Sequence, residues 1–161
     1  MGFLQDRKAL IVGLASNRSI AWGIAKAMHT QGATLAMTYQ NERLAERVHK
    51  LGSQLDCELF MPCDLGNDTE ISNAFESLSQ HWGELDIIVH SAAFAPREEL
   101  EGDYVDAVSR DGFRISHDIS AYSFAALAKA ARPMMKNRSG ALLTLTYLGS
   151  SRAVPNYNVM G

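Results

Sequence analysis

Short apolar runs alternate with amphipathic stretches along the chain. Five runs have the length and continuity of buried strands, and they span residues 8–14, 33–39, 58–63, 85–90 and 141–147. Between them, apolar residues recur at helical spacing over residues 19–31, 42–55, 68–82 and 112–136, with Pro133 disturbing the last turn of the fourth helix. Strands that alternate with helices predict parallel strands joined by crossover helices. We therefore expect one doubly wound α/β domain that binds its ligand at the carboxyl ends of the strands.

The segment after the first strand contains the parts of a phosphate-binding turn, although the usual GxGxxG pattern is absent. Gly13 permits a sharp turn off the strand, and Ser19 is placed to cap the next helix and to offer a hydroxyl to a phosphate. The N-terminus of that helix directs free amide groups and a partial positive charge at an anion. Gly23 is expected to let the helix lie close to the sheet. A plain strand-to-helix loop with a serine cap is the competing interpretation.

The predicted first helix has an amphipathic pattern. Its residues Ile20, Ile24, Ala27 and Met28 are spaced to share one face. Gly32 is expected to end the helix, because glycine readily adopts the left-handed backbone conformation that helix C-termini favour.

Composition narrows the possible functions. The 161 residues are 47% hydrophobic, and a net charge of −3 argues against a nucleic-acid-binding protein, which usually carries a basic stripe. The apolar segment 9–12 is too short for a signal peptide or a membrane span, so we expect a cytoplasmic protein without membrane association. Cys57 and Cys63 are expected to be reduced, buried thiols. The five histidines show no metal-ligand spacing, which predicts structural or surface roles and no metal site.

Several uncommon strings occur in one order along the chain. They are Gly13-x5-Ser19-Ile20-Ala21-x-Gly23, Thr38-Tyr39-Gln40-Asn41, Cys63-Asp64, His90-Ser91-x-x-Phe94-Ala95-Pro96, Gly102-Asp103-Tyr104, His117-Asp118-Ile119-Ser120, and residues 142–149 followed by 155–161. Together they resemble the bacterial NADH-dependent enoyl-[acyl-carrier-protein] reductases, a divergent branch of the short-chain dehydrogenase/reductases. The resemblance covers the whole chain. It implies a Rossmann-type sheet of strand order 3-2-1-4-5 and reduction of the trans-2 double bond of enoyl-[acyl-carrier-protein] thioesters, a step of fatty-acid elongation.

The resemblance implies a set of cofactor-binding residues. They are Gly13, Ala15, Ser19, Ile20, Gln40, Asp64, Leu65, Ser91, Ala92, Ala93 and Ile119. Asp64 would accept a hydrogen bond from the adenine amino group, although spacing alone leaves a helix-capping role open. Gln40 can bond a ribose hydroxyl, and positions 40 and 41 hold no cation to neutralise a 2′-phosphate, so NADH is favoured over NADPH. A solvent-exposed strand end is the other interpretation of Gln40, and an ordinary core residue that of Ile119.

Two tyrosines near the end of the chain carry the expected chemistry. Hydride delivery to the β-carbon of an enoyl thioester places negative charge on the thioester oxygen, and a hydroxyl beside that oxygen stabilises the charge. Tyr157 resembles the family residue in this role, and Tyr147 is expected to orient the substrate or assist proton delivery to the α-carbon. Phe94, Ala95 and Met160 are further substrate-binding residues that the resemblance implies. Without the flanking motif, both tyrosines would be interpreted as core residues.

The resemblance also implies how the protein assembles and how far it extends. The expected partner is acyl carrier protein, and the expected assembly is a homotetramer with Phe113, Tyr122 and Phe124 at a subunit contact. Family members carry a lysine shortly after the second tyrosine, which holds the nicotinamide ribose, and then further strands and the helices that close over the substrate. These parts would follow Gly161, so we expect residues 1–161 to be a single dinucleotide-binding domain truncated before them.

Two other functions stay open on the sequence alone. Another short-chain dehydrogenase/reductase acting on a carbonyl usually has serine where this chain has Tyr147, and a lysine much sooner after its second tyrosine. An inactive fragment that binds dinucleotide is the alternative outside catalysis.

Overall fold

A computed structural model describes residues 2–161, which fold around a five-stranded parallel sheet. The strands are β1 (Lys8–Val12), β2 (Thr34–Tyr39), β3 (Leu59–Pro62), β4 (Ile87–His90) and β5 (Ala141–Thr144). The helices are α1 (Ile20–Thr30), α2 (Glu42–Gly52), α3 (Asp68–His81), α4 (Tyr104–Ala107), α5 (Arg110–His117) and α6 (Ser123–Met135). The strand order β3-β2-β1-β4-β5, with every pair parallel, confirms the predicted topology.

Alternation along the strands divides the core into two layers. Leu10 and Val12 of β1 pack in the layer that α3 and α6 cover, whereas Ala9 and Ile11 pack in the layer under α1 and α2. Burial on both faces explains why β1, β2 and β4 are apolar almost throughout.

The predicted elements are present, but several end earlier than the pattern suggests. β5 stops at Thr144 instead of reaching residue 147, and all of its residues are exposed. The helix predicted over residues 42–55 is α-helical only to Gly52 and closes with a 3-10 turn at Ser53–Leu55. Hydrophobic periodicity marks where apolar residues recur, whereas the ends depend on backbone hydrogen bonds that the pattern does not specify.

The helix predicted over residues 112–136 contains an interruption. Helices α5 and α6 are joined by a π-helical turn at Asp118–Tyr122, and Pro133 lies in the last turn of α6 as predicted. A π-helical turn accommodates an additional residue within a helix and is frequent at functional sites. The spacing of buried residues from 112 to 134 stays close to helical across the turn, so the apolar pattern could not reveal it.

The packing predicted for α1 was wrong in two respects. Its buried face is formed by Ala21, Trp22 and Ala25, whereas Ile20 is 64% exposed. Gly23 lies on the exposed side, where an added methyl group would meet no atom within 4 Å, so it does not bring the helix close to the sheet. Ala21, Trp22 and Ala25 therefore form the buried contact with the core, and Ile24 and Met28 pack against it as partly buried residues.

Gly13 makes the turn off β1 that the sequence predicted. Its φ of +96° is in the region that only glycine adopts easily, and a Cβ there would lie 2.2 Å from the carbonyl oxygen of Ser91. The chains leaving β1 and β4 thus approach each other more closely than any side chain would allow.

The two cysteines are buried and unpaired, as predicted. Burial raises the pKa of the Cys57 thiol to about 11 and that of the Cys63 thiol to about 12. Both thiols therefore stay protonated at neutral pH and act as small apolar groups in the core.

A charged cluster holds the opposite, amino-terminal edge of the sheet. The Asp86 carboxylate is fully buried and accepts hydrogen bonds from the Lys8 amide at 3.0 Å and from the guanidinium groups of Arg7 and Arg138, both at 2.8 Å. Burial alone would raise the pKa of Asp86, but these hydrogen bonds outweigh it and hold the pKa below its usual value. The cluster ties β1 to the segments that precede β4 and β5.

Substituting the two glycines tests their different environments. Gly13→Ala should lower the free energy of unfolding by about 3 kcal/mol, because it adds backbone strain and a clash with Ser91. Gly23→Ala, the matched control, should raise it by about 0.5–1 kcal/mol, because alanine favours the helix and the site is open. Urea denaturation of both variants measures the two effects, and equal effects would contradict the assigned packing.

The Asp86 cluster predicts a pH-dependent contribution to stability. Asp86→Asn should lower the free energy of unfolding by about 3 kcal/mol at neutral pH, because it removes one partner of a buried ion pair. The folded-state pKa is depressed, so this contribution is complete above the unfolded pKa of about 3.9 and is lost as the pH falls through the folded pKa.

Denaturation midpoints of wild type and variant, measured from pH 7 down to pH 3, check this expectation. The difference should shrink toward the acidic end. The exposed Asp106→Asn variant serves as a control that removes one carboxylate without touching the cluster. A wild-type advantage that stays constant over the whole range would contradict the assignment.

Candidate functional site

A cavity of about 300 Å³ opens at the carboxyl ends of the first four strands. It lies where β1 and β4 leave the sheet in opposite directions, which is the usual ligand site of doubly wound folds. The residues around it are Val12, Gly13, Leu14, Ala15, Thr38, Gln40, Leu44, Cys63, Asp64, Leu65, Ser91, Ala92, Ala93, Phe94 and Ile119. All the residues predicted to bind the cofactor therefore line this cavity except Ser19 and Ile20.

Ser19 stands at the N-cap position of α1 but does not cap it. Its hydroxyl donates to the Ser16 carbonyl and accepts from the Ser16 amide, and no side chain bonds to the amides of the first turn. The helix consequently offers its N-terminal amides and partial positive charge to an anion. Arg47 of α2 donates to the Ala15 carbonyl at 3.3 Å and so steadies the same loop.

Asp64 lines the cavity and does not cap a helix. The N-cap of α3 is Asn67, whose side chain accepts from the amides of Thr69 and Glu70. Asp64 instead forms a tight turn, in which Oδ1 accepts from the Gly66 amide at 3.0 Å. Of the two interpretations of Asp64 left by the sequence, the helix cap is wrong.

The cavity wall at the end of β2 carries an amide and no cation. Gln40 is exposed and lines the cavity, and no lysine or arginine of the described residues does so. Arg43 follows on α2 but lies outside the lining. A hydroxyl group would find a hydrogen-bonding partner here, whereas a phosphate would find no counter-charge.

Ser120 holds one wall of the cavity, and the sequence analysis did not identify its role. Its hydroxyl lies 3.0 Å from the Phe94 amide, 3.1 Å from the Phe94 carbonyl and 3.9 Å from the Met160 sulfur. The π-helical turn thereby fixes the backbone beside the predicted substrate wall. The string His117–Ser120 was noted in the sequence, but its spacing gave no reason to pair Ser120 with Phe94.

Tyr147 and Tyr157 lie against each other beyond the end of β5. Their ring centroids are 4.4 Å apart at an angle of 45°, and Tyr147 is 49% exposed. Neither tyrosine, nor Ala95 or Met160, lines the cavity itself. The structure thus brings the two predicted catalytic residues together. Their segment lies next to the cavity wall, because Met160 contacts Ser120, which in turn bonds the Phe94 backbone.

Five lining residues were absent from the predicted site. They are Val12, Leu14, Thr38, Leu44 and Cys63. Val12, Leu14, Thr38 and Cys63 lie at or just after the carboxyl end of a strand, so the rule that ligands bind there would have found them. Leu44 gave no comparable signal, because its helical spacing marked it only as a core residue.

Two features common to other functional classes are missing from residues 2–161. No group of three or more His, Cys, Asp and Glu side chains lies close enough to hold a metal ion. None of the helices there has both the length and the apolar character needed to cross a membrane.

The relatives found by sequence comparison match this chain over its whole length. A model of the family described as enoyl-(acyl carrier protein) reductase matches residues 13–161. The enoyl-[acyl-carrier-protein] reductase [NADH] FabI of Neisseria meningitidis serogroup B is 56% identical over 161 residues, and that of Escherichia coli K12 is 53% identical. In both cases all of this chain is covered, and it spans 62% and 61% of the relatives' lengths.

Solved structures agree with the sequence relatives. The enoyl-[acyl-carrier-protein] reductase (NADH) of Aquifex aeolicus superposes with a TM-score of 0.97 at 47% identity, covering 99% of this chain and 63% of that one. The reductase of Anaplasma phagocytophilum in complex with NAD gives 0.95 at 44% identity, covering 100% of this chain and 62% of that one. The cavity, the tyrosine pair and these similarities agree, and the chain belongs to the enoyl-(acyl carrier protein) reductase family.

Proposed function

We propose that the protein reduces the trans-2 double bond of enoyl-[acyl-carrier-protein] thioesters with NADH, a step of fatty-acid elongation. The observation that carries this proposal is the pairing of a crevice at the carboxyl ends of the strands with two contacting tyrosines at the same edge of one sheet. The relatives named above are enoyl-[acyl-carrier-protein] reductases [NADH], which supports the same reaction. A carbonyl reductase is less favoured, because such enzymes usually have serine at the position of Tyr147.

The groups around the cavity fit a dinucleotide. The uncapped N-terminus of α1 suits a pyrophosphate, because its amides and partial positive charge face an anion there. The Asp64 carboxylate can accept a hydrogen bond from an adenine amino group, and the Gln40 amide can bond a ribose hydroxyl. Ser91, Ala92 and Ala93 give a wall of small side chains along which a cofactor ring can lie.

Tyr157 is the residue we propose for stabilising the developing charge. When bound, NADH supplies the hydride that adds to the β-carbon of the enoyl thioester. The Tyr157 hydroxyl would donate a hydrogen bond to the thioester oxygen, where the enolate charge appears. Tyr147, whose ring contacts that of Tyr157, would orient the substrate or assist protonation of the α-carbon. Phe94, with its backbone held by Ser120, would form the wall beside the acyl group.

The assembly and the partner are part of the same proposal. Acyl carrier protein is the carrier that presents the substrate. A homotetramer is supported by Phe113 and Tyr122, which are 44% and 49% exposed on the helical segment predicted to form a subunit contact. Phe124, also predicted there, is partly buried. We also propose a cytoplasmic location, which the unpaired thiols of Cys57 and Cys63 support because reducing compartments preserve them.

Cofactor choice provides one test. The full-length protein should oxidise NADH in the presence of a trans-2-enoyl thioester with a kcat/KM at least tenfold above that for NADPH, because the cavity offers no cation to a 2′-phosphate. Gln40→Arg should raise kcat/KM for NADPH by supplying that charge. The exposed Gln54→Arg variant adds the same charge away from the cavity and should change neither value. Steady-state rates with both cofactors measure this, and a wild-type preference for NADPH would contradict the assignment.

Removal of the tyrosine hydroxyls provides a second test. In the full-length protein, Tyr157→Phe should lower kcat roughly a hundredfold, about 3 kcal/mol of lost transition-state stabilisation, while leaving NADH affinity nearly unchanged. Tyr147→Phe and the double variant should be measured beside it, because non-additive losses would show that the hydroxyls act together. Tyr39→Phe is the control, since Tyr39 lies at the end of β2 outside the cavity lining. Wild-type turnover in all the tyrosine variants would show that Tyr147 and Tyr157 are ordinary packing residues.

A further inference from the structure

His90, at the end of β4, is a deeply buried side chain to which the proposed reaction gives no role. It is 1% exposed, and both ring nitrogens have partners. Nδ1 lies 3.0 Å from the Thr144 hydroxyl at the end of β5, and Nε2 lies 2.8 Å from the Ser123 hydroxyl at the start of α6. The ring therefore joins β4, β5 and α6 at the carboxyl edge of the sheet, beneath the cavity.

The Ser123 hydroxyl satisfies a carbonyl that the π-helical turn releases. In a regular α-helix the Ser123 amide would donate to the carbonyl of Ile119. Here that amide reaches back to the carbonyl of Asp118, and the Ile119 carbonyl accepts the Ser123 hydroxyl at 2.6 Å. Since the Ile119 side chain lines the cavity, this hydrogen bond connects His90 to the cavity wall through a single intervening residue.

The hydrogen-bond donors around His90 determine which of its ring nitrogens carries the proton. The Ser123 hydroxyl has one hydrogen, which goes to the Ile119 carbonyl, so its oxygen has to accept the hydrogen bond from His90 Nε2–H. Nδ1 is then the unprotonated nitrogen, and it accepts the Thr144 hydroxyl. Burial lowers the pKa of His90, which favours this neutral form at physiological pH.

We propose that His90, as the Nε2–H tautomer, is a positioning residue that fixes the π-helical turn, and with it Ile119, against the bound cofactor. The His90–Ser123 bond attaches the turn from below, and the two bonds between Ser120 and the Phe94 backbone attach it from above. The Tyr122 hydroxyl, at the end of the turn, donates to Asp68. Loss of the Ser123 hydroxyl removes the lower attachment, leaves the Ile119 carbonyl without this donor and lets the turn shift relative to β4. This inference rests on the proposed function, because the positioning serves NADH binding.

The tautomer is measured without turnover. Long-range proton–nitrogen NMR correlations of the full-length protein labelled with ¹⁵N-histidine distinguish Nε2–H, Nδ1–H and the imidazolium. We expect the Nε2–H pattern for His90 at pH 7, and its loss in Ser123→Ala, which removes the acceptor. Either of the other two forms in the wild type would overturn the inference.

Two serine variants separate positioning from general stability. Ser116 lies in the same helical segment, is 2% exposed and donates to the Gly112 carbonyl at 2.7 Å, so it matches Ser123 in burial and bonding but touches neither His90 nor the π-helical turn. Fluorescence titration with NADH should give a Kd raised roughly tenfold in Ser123→Ala and unchanged in Ser116→Ala. Thermal unfolding should show comparable destabilisation of both variants.

Variants of Thr144 extend the test to the other ring nitrogen. Thr144→Val should raise the Kd for NADH severalfold, because Nδ1 loses its donor, and Thr144→Ser should restore the wild-type value because it keeps the hydroxyl. Equal Kd values for wild type and Ser123→Ala, or equal increases in both serine variants, would overturn the inference about His90 and leave the proposed function standing. A wild-type protein that does not bind NADH would overturn the proposed function, and the inference with it.

Discussion

The close approach of Gly13 to the Ser91 carbonyl is the constraint on which the site depends. β1 and β4 are neighbours in the sheet, and their chains leave toward helices on opposite faces. The two backbones lie close together there, since a Cβ at position 13 would be only 2.2 Å from the Ser91 oxygen. Only glycine allows this approach. With the two backbones this close, the loop that leads toward α1 and the small residues after β4 line the same cavity. The cavity is thus a consequence of strand order combined with one glycine.

The opposite edge of the sheet is held in a different way. The fully buried carboxylate of Asp86 accepts hydrogen bonds from β1 and from the segment before β5. Burying such a cluster costs desolvation energy, and its hydrogen bonds connect the adjoining segments. The amino-terminal edge is therefore held by the charged groups around Asp86. At the carboxyl edge the polar groups surround an open cavity, and His90 and Ser120 hold the π-helical turn in place.

Sequence patterns predicted the strands, because continuous apolar runs follow from burial on both faces of a sheet. The family resemblance, and not the pattern, supplied Gln40, Asp64 and Ser91, each of which follows a strand. The patterns failed where tertiary contacts decide. Gly23 was expected to meet the sheet and lies in solvent, and the π-helical turn left the apolar spacing intact. The pairing of Ser120 with Phe94 joins segments far apart in the chain, so spacing could not reveal it.

We propose that the crevice beside Gly13 holds a dinucleotide and that the π-helical turn forms its far wall. A crystal structure of the full-length protein with NADH tests this proposal. The pyrophosphate should lie at the N-terminus of α1, the adenine beside Asp64 and the nicotinamide against Ile119. A dinucleotide bound elsewhere on the sheet, or in this crevice with its ends reversed, would contradict the proposal.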